Sequence, residues 1–319
     1  MASNHEGLDL PRPCSEQLST RSTMARRHAF VLRYATYSDT LRKVTANFPM
    51  ITAKSLSSVL DAAERTGKLN LRTEEIRAAL PGVTPTTLRQ AIYRQQRRGR
   101  LLRLSRGAGH WLIVPLQHAV VGSPPLETWL DRYLSKTLHT PYYVALLSAA
   151  ETYGASPYAV MVTQVMVPEP RRPITVGRHK IVFHTHAQIE RVPTRWHETP
   201  DGRFRVSTAE WTAFDLVQRS ELVGGMARVR EVLRVLWEDC SPSGLSEALN
   251  VFQEIPTAQR LGALLAIDGQ EELVAVVANW LHGRPTRIVP LEGKPAVSAP
   301  LDNTTFKVRL PPDFRSANT

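Results

Sequence analysis

The stretch from Leu71 to Pro115 constrains the fold more than any other part of the chain. It holds a short apolar-periodic segment, a Pro-Gly break, a basic segment, and two apolar runs around a glycine-rich turn. Thr73 is placed to cap a first helix, with Glu74 and Glu75 in its positive-potential first turn and Ile76, Ala79 and Leu80 on one face. Pro81-Gly82 ends it. Thr84 is placed to cap a second helix, and Pro85 suits the first helical position, where an N–H would go unpaired in any case. Leu88, Ala91, Ile92 and Gln95 recur at helical spacing, and Gly99 ends the helix. Leu101, Leu102 and Leu104 form one strand and Trp111 to Val114 another, with Ser105 to Gly109 turning between them. Helix, tight turn, basic helix and β-ribbon in this order predict a winged helix-turn-helix.

Such a domain points to DNA. The residues left for the outer surfaces are Thr86, Thr87, Arg89, Gln90, Tyr93, Arg94, Arg97 and Arg98 on the helix and Arg100, Arg103 and Arg106 on the ribbon, and these are the candidate DNA contacts. Arginine bonds guanine O6 and N7 and glutamine bonds adenine N6 and N7, so the N-terminal part of the helix suits base edges. Arginines at the helix end and on the ribbon suit phosphates, which position a protein without reading sequence. The competing reading is a small helical domain that packs only against protein.

Charge supports the first reading. Over 319 residues the net charge is +11, which favours a polyanionic or acidic partner. The excess concentrates between Arg72 and Arg106, where only Glu74 and Glu75 oppose it. Hydrophobic content of 42% and charged content of 22% allow a substantial core, in a length suited to two domains. Cys14 and Cys240 stand far apart, so no disulfide framework is expected, which fits a reducing cytoplasm. No apolar run reaches membrane-spanning length, and the N-terminus lacks the charge-then-apolar order of a secretory signal. A cytoplasmic protein with no membrane partner is expected.

The fold class expected is α+β: residues 1–49 as a disordered tail, 50–118 as the winged domain, and 119–319 as a larger mixed domain. Pro11-Arg-Pro13 and the Ser/Thr cluster from Ser15 to Thr23 suggest the tail, and Met24 and Met50 are alternative starts. Arg26, Arg27, Arg33, Arg42 and Lys43 suit non-specific DNA affinity, and an unselected extension is the equal alternative. Ile51 to Gly67 reads as the first helix of the winged domain, with Leu56, Val59, Leu60 and Ala63 as its apolar stripe. Pro124-Pro125 marks a linker. Leu126 to Leu138 reads as a helix with Trp129, Leu130, Tyr133 and Leu134 inward, and Tyr142 to Tyr153 as another. Ala159 to Val167, Ile174 to Thr185 and Arg203 to Val206 read as strands. Helices follow over Thr208 to Arg219, Gly225 to Trp237, Pro242 to Phe252, Thr257 to Ile267 and Glu271 to Leu281. The chain returns to strand at Arg287 to Pro290 and Phe306 to Leu310.

These residues resemble a known family. The winged segment, the Tyr142-Tyr-Val-Ala-Leu-Leu-Ser-Ala-Ala-Glu151 run, Arg172-Pro-Ile-Thr-Val-Gly-Arg178, Val206-Ser-Thr-Ala-Glu-Trp-Thr-Ala-Phe-Asp-Leu-Val217 and Ala258-Gln-Arg-Leu-Gly-Ala-Leu-Leu265 are similar, in this order, to AbiEi-type antitoxins of bacterial type IV toxin–antitoxin systems. The resemblance runs from about Met50 to Leu310, and it is loose at Asn303 to Leu310. It implies an N-terminal domain that represses its own operon by binding operator DNA. It further implies a C-terminal domain that counteracts a nucleotidyltransferase-like toxin.

Other patterns compete with this one. Glu151, Glu210, Asp215 and Arg260 are polar positions in apolar helices, suited to a partner or to buried networks. His184-Thr-His186 puts two imidazoles on one face of a strand, but a zinc site needs a third ligand and neither His179 nor His197 has ligand spacing. Glu292-Gly-Lys294 resembles half of a restriction-type nuclease site, without the aspartate that should precede it. Gly224-Gly225 lacks the Gly-Lys-Ser/Thr of a phosphate loop. No catalytic residue, metal or cofactor is expected. The alternatives to an antitoxin are a winged-helix regulator with a ligand-sensing or dimerising second domain, and a DNA nuclease.

Overall fold

The computed structural model describes residues 55–105, 107, 109–156, 159–292, 305–311 and 314. The expected tail, the alternative starts, Cys14, Arg106 and Lys294 lie outside these residues.

The first third is helical with a small sheet. Helix α1 (Leu56–Arg65) is capped by Ser55, whose hydroxyl accepts the Ser58 N–H at 3.3 Å, and it buries Leu56, Val59, Leu60 and Ala63 as expected. Strand β1 (Asn70–Arg72) leads into α2 (Thr73–Ala79). After a turn with Gly82 at φ +88°, α3 (Pro85–Arg97) follows, then β2 (Leu101–Arg103) and β3 (His110–Ile113). The sheet order is β1-β3-β2, antiparallel throughout, with Leu101 opposite Ile113 and Leu71 opposite Trp111. Strand β1 is not legible in the sequence, because three residues carry no period and its partner lies some forty residues away.

The central element is a six-stranded mixed sheet in the order β6-β7-β5-β4-β9-β8, formed by β4 (Tyr143–Val144), β5 (Thr163–Val167), β6 (Ile174–Val176), β7 (His179–Thr185), β8 (Thr194–Thr199) and β9 (Gly202–Ser207). Strand alternation sorts side chains between two cores. Val144, Val165, Val167, Ile181, Phe204 and Val206 join the first-third residues and Leu126, Trp129, Leu130, Tyr133 and Leu134 in one apolar cluster. Tyr143 and Met166 face the opposite side, where helices α5 (Ala209–Gln218), α6 (Met226–Leu236), α7 (Pro242–Phe252), α8 (Ile255–Ile267) and α9 (Glu271–Leu281) form the second cluster. The two short strands β10 (Val289–Pro290) and β11 (Val308–Arg309) pair in parallel and are pinned to α8 by Gln259, whose amide donates to Arg287 O and Phe306 O at 2.8 and 2.7 Å.

Several expectations change. Leu126 to Leu138 is not an α-helix: a 3-10 turn at Leu126–Thr128 precedes a wide π-helical turn at Arg132–Thr137, although all four inward residues are buried. Tyr142 to Tyr153 splits into β4 and the short helix α4 (Leu146–Thr152), because Tyr143 and Val144 pair with β5 and β9 and Leu146 turns at φ +56°. Strand β8 is an addition to the expected set. The segment read as a linker is packed: Ser123 and Pro124 are buried, and Pro124 O lies 3.0 Å from His179 Nε2. Further bonds tie the first third to the segment around the π-helical turn. Asn70 Nδ2 donates to Trp129 O at 2.8 Å, and the Arg72 guanidinium donates to Thr137 O.

Candidate nucleic-acid interface

Helix α3 owes its definition to local chemistry. Thr84 accepts the Thr87 N–H at 3.2 Å, Pro85 occupies the first turn, and the Gly99 and Arg100 N–H groups close onto Gln96 O and Gln95 O. Gly99 takes φ +70°, the left-handed conformation that a helix stop of this kind requires. Leu88, Ile92 and Gln95 are buried, and Gln95 Nε2 donates to Ser57 Oγ of α1 at 2.8 Å.

That burial fixes the opposite face. At 100° per residue, the stripe pointing directly away from Leu88, Ile92 and Gln95 is Thr86, Gln90, Tyr93 and Arg97, with Arg89 and Arg94 on its flanks. All six are exposed, and Tyr93 keeps 60% of its surface open. The other expected residues divide. Thr87 is exposed, but its hydroxyl lies 2.9 Å from that of Thr84, within the helix cap. Arg98 is exposed at the helix end. Arg103 lies on the ribbon with its guanidinium 5.1 Å from the centre of the Trp111 ring.

Arg100 has another role. Its Nη2 donates to Asp61 at 2.8 Å and Glu64 at 3.1 Å, so its charge clamps the ribbon to α1. Arg77, exposed on α2, escapes a sequence reading because it falls outside the second helix. Among the described residues, Arg77, Arg89, Arg94, Arg97, Arg98 and Arg103 have no ion-pair partner. Between residues 55 and 115 there are eleven Lys and Arg against four Asp and Glu, whereas from residue 116 onward the two signs balance at twenty-one each. The positive field therefore belongs to the first third.

The ribbon is braced by a residue expected elsewhere from sequence. Thr73 is the first residue of α2 and not its cap, because Glu75 supplies the carboxylate that accepts the Arg72 N–H at 2.7 Å. The Thr73 hydroxyl instead donates to Gly109 O at 3.0 Å and accepts from Trp111 Nε1 at 2.9 Å. Gly109 sits at φ +57°, and a Cβ there would come within 2.5 Å of Thr73 Oγ1.

The polar positions of the second half are largely structural. Glu210 is buried and accepts the Ser241 N–H and hydroxyl at 3.0 and 3.2 Å, holding the start of α7. Arg260 Nε donates to Pro290 O at 2.9 Å. Glu151 is exposed, with the Val160 N–H at 3.4 Å. Asp268 pairs with Arg230 at 2.9 Å and accepts from Trp237 Nε1 at 3.1 Å. Glu292 accepts the Met226 N–H at 3.0 Å and so caps α6, a task that accounts for it without nuclease chemistry.

Asp215 differs. It is fully buried, accepts from Tyr143 OH at 3.1 Å on Oδ2, and has no hydrogen-bond partner on Oδ1 among the described residues. Tyr143 OH in turn accepts from Trp211 Nε1 at 3.2 Å. Burial pushes the Asp215 carboxyl up to about 7, against a smaller downward pull from Arg219. His184 and His186 lie nearby, both held below the ordinary imidazole range by burial first and then by Arg219. Among the described residues no three His, Cys, Asp or Glu side chains are grouped to hold a metal. Burial raises the Cys240 thiol, which is free. No described helix is long and apolar enough to cross a membrane.

Among solved structures, the chain is similar to the RV2827C protein from Mycobacterium tuberculosis, at a TM-score of 0.57 and 17% identity, over 80% of this chain and 90% of that one. At that identity the likeness concerns the fold alone. No curated protein sequence matches the chain significantly. Residues 143–267, from β4 to the end of α8, match the family profile of the AbiEi antitoxin C-terminal domain. That span takes in the central strands and the buried Tyr143–Trp211–Asp215 network, so over these residues the chain is similar to the AbiEi antitoxin C-terminal domain.

Proposed function

We propose that this chain is the antitoxin of a type IV toxin–antitoxin system and represses its own operon. In this reading the first third is a winged helix-turn-helix that binds operator DNA. The remainder counteracts a toxin of the nucleotidyltransferase type. The antitoxin role rests on the matched domain, and a toxin partner follows from it. The observation that carries DNA binding is the net charge of +7 on residues 55–115 against none on residues 116–319, with no acidic residue in α3 itself. Gln90, central on the stripe, and Arg89 beside it are the base readers. Arg97, Arg98, Arg103 and, from sequence, Arg106 contact phosphates, with Arg77 added from the opposite helix. Arg100 is assigned to holding the ribbon. No catalytic step is required.

Mobility shifts on promoter and random duplexes at two salt concentrations test the DNA reading. Gln90→Ala or Arg89→Ala should cost about 1–3 kcal/mol on the operator and relax its preference. Arg98→Ala should weaken both duplexes alike and reduce the logarithmic salt slope by about 0.9. Equal losses on both duplexes for all three variants would end the assignment. Rescue of cells expressing an adjacent nucleotidyltransferase gene tests the antitoxin reading separately.

A further inference from the structure

Three of the eight large exposed hydrophobic side chains among the described residues fall within six positions of one another. Leu116, Val120 and Val121, just beyond β3, are 73%, 99% and 47% exposed. Leu116 also walls a cleft of about 480 Å³ together with Ser58, Asp61, Glu64, Arg65 and Arg100, which places Leu116 beside α1. Apolar side chains grouped beside a polar rim mark an interaction surface.

Helix α1 supplies the rest of that surface. Its open stripe is Ser58, Asp61, Ala62 and Arg65, none of them buried. Ser58 and Ala62 are small enough for a second helix to approach closely. Asp61 and Arg65 stand one turn apart with opposite charge, and the Asp61 side chain is 59% exposed even while it meets Arg100. An antiparallel contact of two such helices sets Asp61 of each copy against Arg65 of the other. Only a two-fold arrangement satisfies both pairs with one patch, which is the self-complementarity of an isologous interface. Helix α1 meets α3 through Ser57 and Gln95, on the side of α3 away from the Gln90 stripe.

We propose that α1 and residues 116–121 form the interface of a homodimer, with the two α1 helices antiparallel about a two-fold axis and Leu116, Val120 and Val121 closing against their counterparts. The dimer turns both α3 stripes outward. Three apolar side chains a side and two ion pairs in all make a small interface, so association is concentration-dependent.

Sedimentation equilibrium of the full-length chain, without nucleic acid, tests this independently of the DNA reading. The mass should rise with concentration toward twice 35.7 kDa. Val120→Asp, with unchanged circular dichroism, should stay monomeric, as should Arg65→Glu and Asp61→Lys taken singly. Mixing the Arg65→Glu and Asp61→Lys chains should restore dimers, because the swapped charges then face each other; this outcome does not arise from misfolding. A wild-type chain that stays at 35.7 kDa across the micromolar range overturns the proposal, as does a dimer that survives both Val120→Asp and Arg65→Glu.

Discussion

Replacing Asp215 by Asn should alter how stability depends on pH. The carboxyl is fully buried and lifted from 3.8 to about 7. Below the lower value both folded and unfolded chains hold the proton. Between the two values the unfolded chain releases it and the folded chain keeps it, so stability falls as pH rises and levels off above the folded value. At 1.36 kcal/mol per unit, the loss above neutral pH is about 4 kcal/mol, of which roughly 1.6 is already present at about pH 5. Asparagine abolishes the titration. Its carbonyl still accepts from Tyr143, while its amide nitrogen takes the place of the unpartnered Oδ1 at a pH-independent cost of about 1–3 kcal/mol. Urea unfolding of both chains from about pH 5 to about pH 8 therefore gives a difference that shifts by about 3 kcal/mol in favour of the variant. His184 and His186 titrate in both proteins with the opposite sign and cancel in the difference. Parallel profiles across that range would refute a protonated Asp215.

Three further outcomes are expected. Gly109→Ala should destabilise by about 1–3 kcal/mol in urea, since positive φ and the Thr73 hydroxyl both oppose a Cβ there, and Thr73→Ala should relieve only the steric part. Asp268→Asn leaves Arg230 buried without its charge partner and should cost about 3–5 kcal/mol, read as a drop in the denaturation midpoint. Glu292→Gln should lower stability by about 1 kcal/mol through a weaker α6 cap while leaving rescue of toxin-expressing cells unchanged; loss of rescue in a folded variant would reopen a chemical role for this residue.

Local chemistry is readable in the sequence wherever a feature depends on residues a few positions apart. The Thr84 cap, the Gly99 stop, the buried Leu88–Ile92–Gln95 stripe and helices α5 to α9 all follow from short-range period and capping. So does the outward set on α3, and with it the candidate interface. Tertiary structure decided what depends on distant partners. The Tyr142-Tyr-Val-Ala-Leu-Leu run has the composition of a helix, yet Tyr143 and Val144 become strand because β5 and β9 offer backbone partners twenty and sixty residues away. Thr73 leaves its expected cap to brace Gly109 and Trp111, which come near only when the ribbon folds back. Arg100 looks like any other arginine of the ribbon until α1 brings Asp61 and Glu64 against it. The unusual proton affinity of Asp215 likewise comes from burial between the sheet and its helices, an environment that no local pattern encodes.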